Sequence, residues 1–263
     1  GVMLLADDPW FLSVLGIGVI LGSLGFPVIF ALMKALRGVR LTLHVKLTLV
    51  TTTVLFILGA VVILLFEWQN AATLGAQDAA TRPLTALFMS AMTRSGGFAT
   101  VDVSEMTGAT LLAVDMLMFV GGGSASTAGG IKVTTLAVLF LAALAEARGL
   151  QYVQAFRRRI PADVIRLAVA VVMWGATIVA AATIALLAIT DEPLERVLFD
   201  VISAFATCGL STGMTENAPD AGKYVLAATM WAGRVGTVTL AAALAATQRK
   251  QLFSFAEERP IVG

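Results

Sequence analysis

The sequence predicts an all-α integral membrane protein made of tandem membrane-pore-membrane repeats with re-entrant pore helices. Three observations lead to this fold class. Of the 263 residues, 58% are hydrophobic and only 13% are charged, whereas a soluble domain carries about 25% charged residues. The apolar residues gather into runs of two distinct lengths, separated by short polar segments. A unit made of a span, a short helix, a turn of small residues and a further span also occurs twice.

The long apolar runs predict the membrane spans. Crossing the hydrocarbon core of a bilayer takes about 20 apolar residues in a helix, and shorter runs suit re-entrant or interfacial helices. The long run in the middle of the chain exceeds one straight span and is interrupted by Gly-rich sequence. The predicted spans are 10–36, 47–68, 107–144, 165–189 and 224–246, and the predicted short helices are 83–93 and 194–206.

The charges of the connecting loops predict the orientation. The loops after the first and third spans are rich in Lys and Arg, whereas the loops that hold the short helices are mainly acidic. By the positive-inside rule the basic loops lie in the cytoplasm and the short helices dip from the outside. We therefore expect a multi-pass protein of the plasma membrane (the cell inner membrane) with a cytoplasmic C-terminus.

Composition also excludes several kinds of function. A net charge of +1 without a dense basic face argues against a nucleic-acid partner. The single cysteine, Cys208, excludes an internal disulfide framework and a cysteine cluster for a metal. The single histidine, His44, excludes a multi-histidine site. No cofactor is expected in this chain.

The internal repeat is clearest at the ends of the two short helices. The sequence Ser-Gly-Gly-Phe-Ala-Thr at 95–100 aligns with Thr-Cys-Gly-Leu-Ser-Thr at 207–212 at a constant offset. Each hexad follows a short helix and precedes a long span, and the first span resembles the last element of a truncated third unit. The domains predicted from this pattern are 1–38, the closing span of a truncated repeat; 39–149, a complete repeat; and 150–263, a further repeat with the C-terminal tail.

The two turns have a chemical consequence. A helix that dips into the membrane and turns at a glycine leaves carbonyl groups unpaired, which is tolerated only beside water or protein. Carbonyl oxygens from several such turns can replace the hydration shell of a cation. A purely structural re-entrant loop is the alternative. The candidate ion-filter residues are Ser95, Gly96, Gly97, Phe98, Thr207, Cys208, Gly209 and Leu210.

Several motifs together resemble the Trk/Ktr/HKT superfamily of potassium transporters, and most closely the C-terminal half of its KtrB-type pore subunits. The motifs occur in the family's order along nearly the whole chain. One departure is Gly96, where the family pattern has Ala. The matching segments are Thr-Arg-Ser-Gly-Gly-Phe at 93–98, Ser-Thr-Ala-Gly-Gly-Ile-Lys at 126–132, Ser-Ala-Phe at 203–205 through Gly-Leu-Ser-Thr-Gly at 209–213, Gly-Arg-Val-Gly at 233–236 and Glu-Glu-Arg-Pro-Ile-Val-Gly at 257–263.

The resemblance implies a pore-forming subunit of a potassium uptake channel-transporter and no enzymatic activity. Four repeats surround one pore in that family, so this chain, which begins at Gly1, would be a fragment that holds the end of the second repeat and the third and fourth repeats. The missing repeats, or a second chain, would complete the pore. The resemblance further implies potassium at the backbone carbonyls of Gly97 and Gly209, possible sodium dependence, a homodimer and a cytosolic nucleotide-binding regulatory ring.

The Gly-rich interruption corresponds to the family's intramembrane gating loop. A packing kink is the alternative, because Gly and Ser also occur where helices cross closely. A Lys or Arg side chain within the membrane usually faces a cavity or a partner. For Lys132 the alternative is a side chain that extends (snorkels) to the cytoplasmic interface. The candidate gating residues are Gly121, Gly122, Gly123, Ser124, Ser126, Gly129, Gly130, Lys132 and Arg234.

Two other functions compete with the transporter hypothesis. An intramembrane serine protease would use Ser124 or Ser126 as its nucleophile, but it would need a base within hydrogen-bond reach. The one histidine, His44, lies in a predicted cytoplasmic loop. A non-transporting membrane scaffold, or a truncated product, would have the same fold and no flux.

Overall fold

The computed structural model describes residues 2–6 and 8–236, and almost all of its regular structure is helical. The predicted all-α architecture is therefore confirmed for this part of the chain. The tail motif at 257–263 and the end of the last predicted span lie outside the described residues. The helices are α1 (Pro9–Leu24), α2 (Phe26–Ala35), α3 (Leu43–Glu67), α4 (Arg82–Met92), α5 (Gly108–Phe119), α6 (Val133–Ala147), α7 (Ala162–Leu187), α8 (Leu194–Phe205), α9 (Met214–Asn217) and α10 (Asp220–Trp231), which continues as a π-helical turn, Ala232–Gly236.

Helices α3 and α7 are each long and apolar enough to cross a membrane. They confirm the second and fourth predicted spans. A small antiparallel hairpin, β1 (Gln154–Ala155) and β2 (Arg158–Arg159), lies in the basic loop between α6 and α7. The hairpin contacts the start of α3, where the Lys46 Nζ lies 5.6 Å from the centroid of the Phe156 ring.

The first predicted span, 10–36, is not one straight helix. Helices α1 and α2 meet at a 98° bend. The bend occurs at Gly25, which has a φ of +89°, and Pro27 follows in the first turn of α2. Pro27 lacks the N–H group that the interior of a helix needs, so α1 cannot continue through it as a regular helix. Glycine suits the bend itself, because other residues are strained at a positive φ.

The third predicted span, 107–144, is interrupted as expected. Two half-length apolar helices, α5 and α6, replace a continuous one, and residues 120–132 between them have no helical structure. This loop is called the intramembrane loop below.

The two short helices form the centre of the main hydrophobic core. Helix α4 packs against α1 and α3, and α8 packs against α5, α7 and α10. Side chains such as Met89 and Met92 of α4 and Phe199 and Phe205 of α8 are almost completely buried. Since other helices surround them, both short helices end inside protein rather than in lipid, as unpaired backbone at a helix end requires.

A buried carboxylate joins the C-terminal end of α3 to the start of α5. Glu67 is fully buried. Its Oε1 accepts hydrogen bonds from the Thr107 N–H at 2.9 Å and from the Thr110 hydroxyl at 2.5 Å. Its Oε2 accepts from the Asn70 Nδ2 at 2.7 Å and from the Thr73 hydroxyl at 2.5 Å. The carboxylate therefore pairs the donors that would otherwise be left without partners at this junction.

We expect Glu67→Gln to lower the stability of the protein by about 2–4 kcal/mol, because the amide nitrogen would face hydrogen-bond donors and leave some of them unpaired. Thermal unfolding in detergent measures the effect. Glu192→Gln is the matched control: Glu192 is partly exposed and forms a loose 3.9 Å pair with Arg196, so its change should stay within about 0.5 kcal/mol. Equal melting temperatures for the two variants would contradict the role of Glu67.

Candidate functional site

The two repeated turns have the same unusual backbone conformation. Ser95 and Gly97 have φ values of +64° and +69°, and the equivalent residues Thr207 and Gly209 have φ values of +49° and +99°. A non-glycine residue with positive φ is uncommon and costs energy, so it persists only where the surroundings hold it. The likeness between the two hexads therefore extends from the sequence to the backbone.

The turns lie against each other. A Cβ atom on Gly97 would come within 2.5 Å of the Cys208 carbonyl oxygen and 3.0 Å of the Gly209 Cα, and one on Gly209 within 3.3 Å of the Gly97 Cα. The Ser95 hydroxyl also donates to the Ala206 carbonyl oxygen at 3.0 Å. The structure thus brings the two predicted turns into direct contact, and glycine is needed for the approach.

The remaining predicted filter residues differ in their surroundings. Cys208 and Leu210 are buried, whereas Phe98 is exposed. The Cys208 thiol donates to the Met92 carbonyl oxygen at 3.2 Å, across from one turn to the other. A Cβ atom on Gly96 would lie 2.5 Å from the Met92 Sδ. An alanine there would therefore require the flexible Met92 side chain to shift and the Val19 methyl groups, at 3.0 and 3.1 Å, to move slightly as well.

The ends of the short helices favour a cation near the turns. The N–H groups of Gly96 and Gly97 both bond to the Met92 carbonyl oxygen, and the Cys208 N–H bonds to the Ser203 carbonyl oxygen. Each turn thus caps the C-terminus of its helix, α4 or α8. The C-terminal end of a helix carries a partial negative charge, which stabilises positive charge nearby.

The intramembrane loop is held by backbone hydrogen bonds to the break in the first helix pair. The Gly123 N–H donates to the Ser23 carbonyl oxygen at 2.7 Å and the Thr127 N–H to the Gly22 carbonyl oxygen at 3.3 Å. Gly25, where α1 and α2 bend, leaves room for the Ser124 carbonyl oxygen. Two interruptions that are about 100 residues apart in the sequence therefore complete each other's backbone hydrogen bonding.

The same loop also lies next to the second turn. A Cβ atom on Gly129 would come within 2.6 Å of the Thr207 hydroxyl and 2.8 Å of the Ala206 carbonyl oxygen. Gly130 has a φ of +67°. Glycine at these positions lets the loop approach the end of α8 closely. Of the predicted gating residues, Gly129 and Gly130 are thus the ones next to the filter candidates.

Both predicted gating cations bond to the intramembrane loop. The Lys132 Nζ donates to the Ala128 carbonyl oxygen at 2.7 Å, and the Arg234 Nη1 donates to the Thr127 carbonyl oxygen. Arg234 belongs to the π-helical turn after α10. Arg234 therefore links the last described helix to the loop. Lys132 links the loop to α6, the helix that follows it.

Arg94 is a residue of this site that sequence reasoning did not select. It directly precedes the first turn and is 1% exposed. Its Nη1 donates to the carbonyl oxygens of Leu117, Val120 and Gly121, at the end of α5 and the start of the intramembrane loop. A charged residue within an apolar segment could have indicated a buried functional position. Its partners could not be predicted from the sequence, because they are backbone carbonyl groups, which every residue has.

The serine residues of the loop lack the geometry of a nucleophile. His44 and Ser124 line the same cavity of about 460 Å³, but no hydrogen bond joins His44 to Ser124 or Ser126 within the described residues. The Ser126 hydroxyl instead accepts a hydrogen bond from the Ala128 N–H at 3.2 Å. Nucleophilic catalysis requires a base within reach of the hydroxyl.

The fold and the site define a multi-pass helical membrane protein in which two repeat-equivalent turns and a loop meet. A family profile described as TrkH, cation transport protein, matches residues 4–254. The chain belongs to this family. It is a family of transporters rather than enzymes, so the protease hypothesis is wrong.

Individual relatives agree with this assignment. The chain is 34% identical to the Ktr system potassium uptake protein B of Vibrio alginolyticus, over 100% of this chain and 58% of the relative. It is 33% identical to the protein of the same description from Bacillus subtilis (strain 168), over 95% of this chain and 56% of the relative. The chain thus spans about half the length of these curated relatives.

A solved structure has the same fold. The crystal structure of the potassium transporter TrkH from Vibrio parahaemolyticus superposes with a TM-score of 0.70 at 18% sequence identity, covering 92% of this chain and 53% of that chain. The predicted fold class, an all-α integral membrane protein, is confirmed by this likeness and by the family.

We expect Gly97→Ala to destabilise the protein more than Gly149→Ala. The two glycines have similar φ values, +69° and +63°, so an alanine is strained by about 1–2 kcal/mol at either position. Only Gly97 faces another backbone, because nothing lies within 4 Å of a Cβ atom on Gly149. Thermal unfolding of both variants compares them. Equal losses would show that the turns do not pack as closely as described.

Proposed function

We propose that this chain forms part of the pore of a potassium uptake channel-transporter, and that the carbonyl groups of Gly97 and Gly209 contribute to its ion filter. One observation carries the proposal: two repeat-equivalent turns with the same left-handed backbone positions contact each other at the ends of two buried helices. Backbone carbonyl rings of this kind select ions in channels. The names of the relatives, which describe potassium uptake, support potassium as the ion.

In this proposal the chain supplies two of four filter turns. Residues 1–38 are the end of a second repeat, 39–149 the third and 150–263 the fourth, and missing N-terminal repeats or a second chain supply the other turns. The chain length supports this division, since it covers about half of each relative. The same proposal includes a homodimer, a cytosolic nucleotide-binding regulatory ring, sodium dependence, and a plasma-membrane location with a cytoplasmic C-terminus.

The intramembrane loop is the proposed gate. Its position next to the second turn and its two bound cations support this role. Positive charge on Lys132 and Arg234 opposes a potassium ion that leaves the filter toward the cytoplasm. Because Arg234 bonds to Thr127, movement of the last helix would carry the loop with it. A packing kink would not need a cation on either side.

In the protein completed with its N-terminal half, we expect Gly209→Ser to lower the selectivity for potassium over sodium. Gly209 has a φ of +99°, and a side chain there would change the direction of the neighbouring carbonyl groups. Rubidium uptake in competition with sodium, in a strain that lacks potassium uptake, measures the effect. Gly97→Ser should change the selectivity in the same direction.

The control for this experiment is Gly38→Ser, since Gly38 has a similar φ of +85° and no neighbour within 4 Å of a Cβ atom. It should leave selectivity unchanged. Wild-type selectivity in both turn variants would contradict the filter assignment. Absence of any flux from the completed wild-type protein would instead favour the non-transporting scaffold or the truncated product.

We expect shortening of the intramembrane loop by residues 121–130, in the completed protein, to raise potassium flux and weaken regulation, because the obstruction next to the filter is removed. Arg234→Gln should change flux in the same direction, since it removes both a cation and the bond to Thr127. Uptake rates with and without the regulatory subunit test this. Lower flux in both variants, at normal amounts of folded protein, would favour the packing kink.

A further inference from the structure

A buried carboxylate on α8 holds the chain segment that leaves the second turn. Asp200 is 3% exposed. Its Oδ1 accepts hydrogen bonds from the Thr212 N–H at 2.9 Å and the Thr212 hydroxyl at 3.2 Å. Its Oδ2 accepts from the hydroxyl groups of Ser211, at 2.8 Å, and Thr215, at 2.7 Å, and from the Thr215 N–H at 3.3 Å. One side chain thus fixes a stretch of five residues.

Ser203 continues this support toward the turn itself. It lies three residues after Asp200, so the two side chains are on the same face of α8. The Ser203 hydroxyl accepts a hydrogen bond from the Gly209 N–H at 3.1 Å, and the Ser203 carbonyl oxygen accepts from the Cys208 N–H at 2.8 Å. Together Asp200 and Ser203 bond to the chain from 208 to 215.

The first turn lacks the same support. The constant offset between the hexads places Phe88 and Ala91 of α4 at the positions of Asp200 and Ser203. Neither side chain accepts a hydrogen bond. Thr100 is equivalent to Thr212, but its hydroxyl is buried without a hydrogen-bond partner. Two turns with the same backbone conformation therefore differ in what holds them.

The carboxylate is suited to this task because of its charge. Hydrogen bonds to a charged group are roughly twice as strong as those between neutral groups. No ion pair neutralises Asp200 within the described residues, so these donors are what stabilise its charge. Releasing the segment from 211 to 215 would leave the carboxylate buried and unpaired, which is costly. The segment is consequently kept in one conformation.

We propose that Asp200 and Ser203 are positioning residues that make the second turn the rigid side of the ion filter, and that potassium selectivity depends on this turn more than on the first. The inference rests on the proposed function. Neither side chain needs to touch the ion. They act by fixing the direction of the carbonyl groups at Gly209 and beyond, because a filter that relaxes can adapt to the smaller sodium ion.

Hydrogen–deuterium exchange of the completed protein tests the positioning without any measurement of flux. The amides of 209–215 should exchange more slowly than those of the equivalent segment 97–103. Asp200→Asn should remove this difference, because the amide nitrogen would replace one of the two oxygens and face the N–H group of either Thr212 or Thr215. Equal exchange of the two segments in the wild-type protein, or unchanged exchange in Asp200→Asn, would overturn the proposal.

Rubidium uptake in competition with sodium tests the consequence for selectivity. Asp200→Asn should lower the preference for potassium at least about tenfold, the equivalent of one charged hydrogen bond, and Ser203→Ala about fivefold. Asp200→Glu, which keeps the charge, should restore part of it. Glu67→Gln is the matched control, since Glu67 is also a fully buried carboxylate with hydroxyl and N–H donors, but none of these donors belongs to either turn. It should lose stability and keep selectivity.

The outcomes separate the inference from the function on which it rests. A completed wild-type protein without potassium flux contradicts the proposed function, while the exchange measurement still decides the positioning role. Wild-type selectivity in Asp200→Asn and Ser203→Ala, with a loss of stability like that of Glu67→Gln, would reduce both residues to a structural role. If Asp200→Asn does not fold, Ser203→Ala decides alone, and unchanged selectivity in that variant overturns the proposal.

Discussion

The structure depends on one constraint, the need to pair every backbone N–H and C=O group at membrane depth. A continuous helix meets this need by itself, but this chain leaves helical structure in several places inside its core. Each departure is satisfied by another one. The loop after α5 bonds to the break between α1 and α2 through Gly123 and Ser23, and the turn after α4 bonds to the end of α8 through Ser95 and Ala206. The irregular segments therefore assemble at one place, which is the candidate site.

The same constraint governs the buried charges. Within the described residues, the one ion pair joins Arg196 to Glu192 at the partly exposed start of α8. Three buried charged residues instead bond to hydroxyl and backbone groups: Arg94 donates to carbonyl groups, and Glu67 and Asp200 accept from threonines and backbone N–H groups. Such donors and acceptors stabilise a charge without an opposite charge that would have to be buried as well. Arg94 and Glu67 lie at the ends of their helices, whereas Asp200 lies within α8 and bonds to the segment that follows the second turn. Each of the three thus connects a helix to an irregular segment.

The repeats share a turn but differ in their supports. The two turns have left-handed backbone at equivalent residues, while α4 presents Phe88 and Ala91 where α8 presents Asp200 and Ser203. An ion that is surrounded by carbonyl groups from different repeats would thus be in contact with turns of unequal rigidity. The loop that follows α5 lies next to the turn of α8. The side chains that support the turn after α8, Asp200 and Ser203, and the intramembrane loop that is the proposed gate therefore contact the same turn.

The sequence by itself determined the class of fold, the spans α3 and α7, the two short helices, the paired turns and the interruption after α5. These features depend on local properties, because hydropathy and length decide a span and a repeated small-residue motif marks a turn. It did not indicate the 98° bend at Gly25, since the bend also needs the Ser124 carbonyl oxygen to pack against it. The partners of Arg94 and Asp200 were decided only by the tertiary structure. Their hydrogen bonds join backbone and side-chain atoms brought together by helix packing, and neither periodicity nor composition records which distant segments will meet.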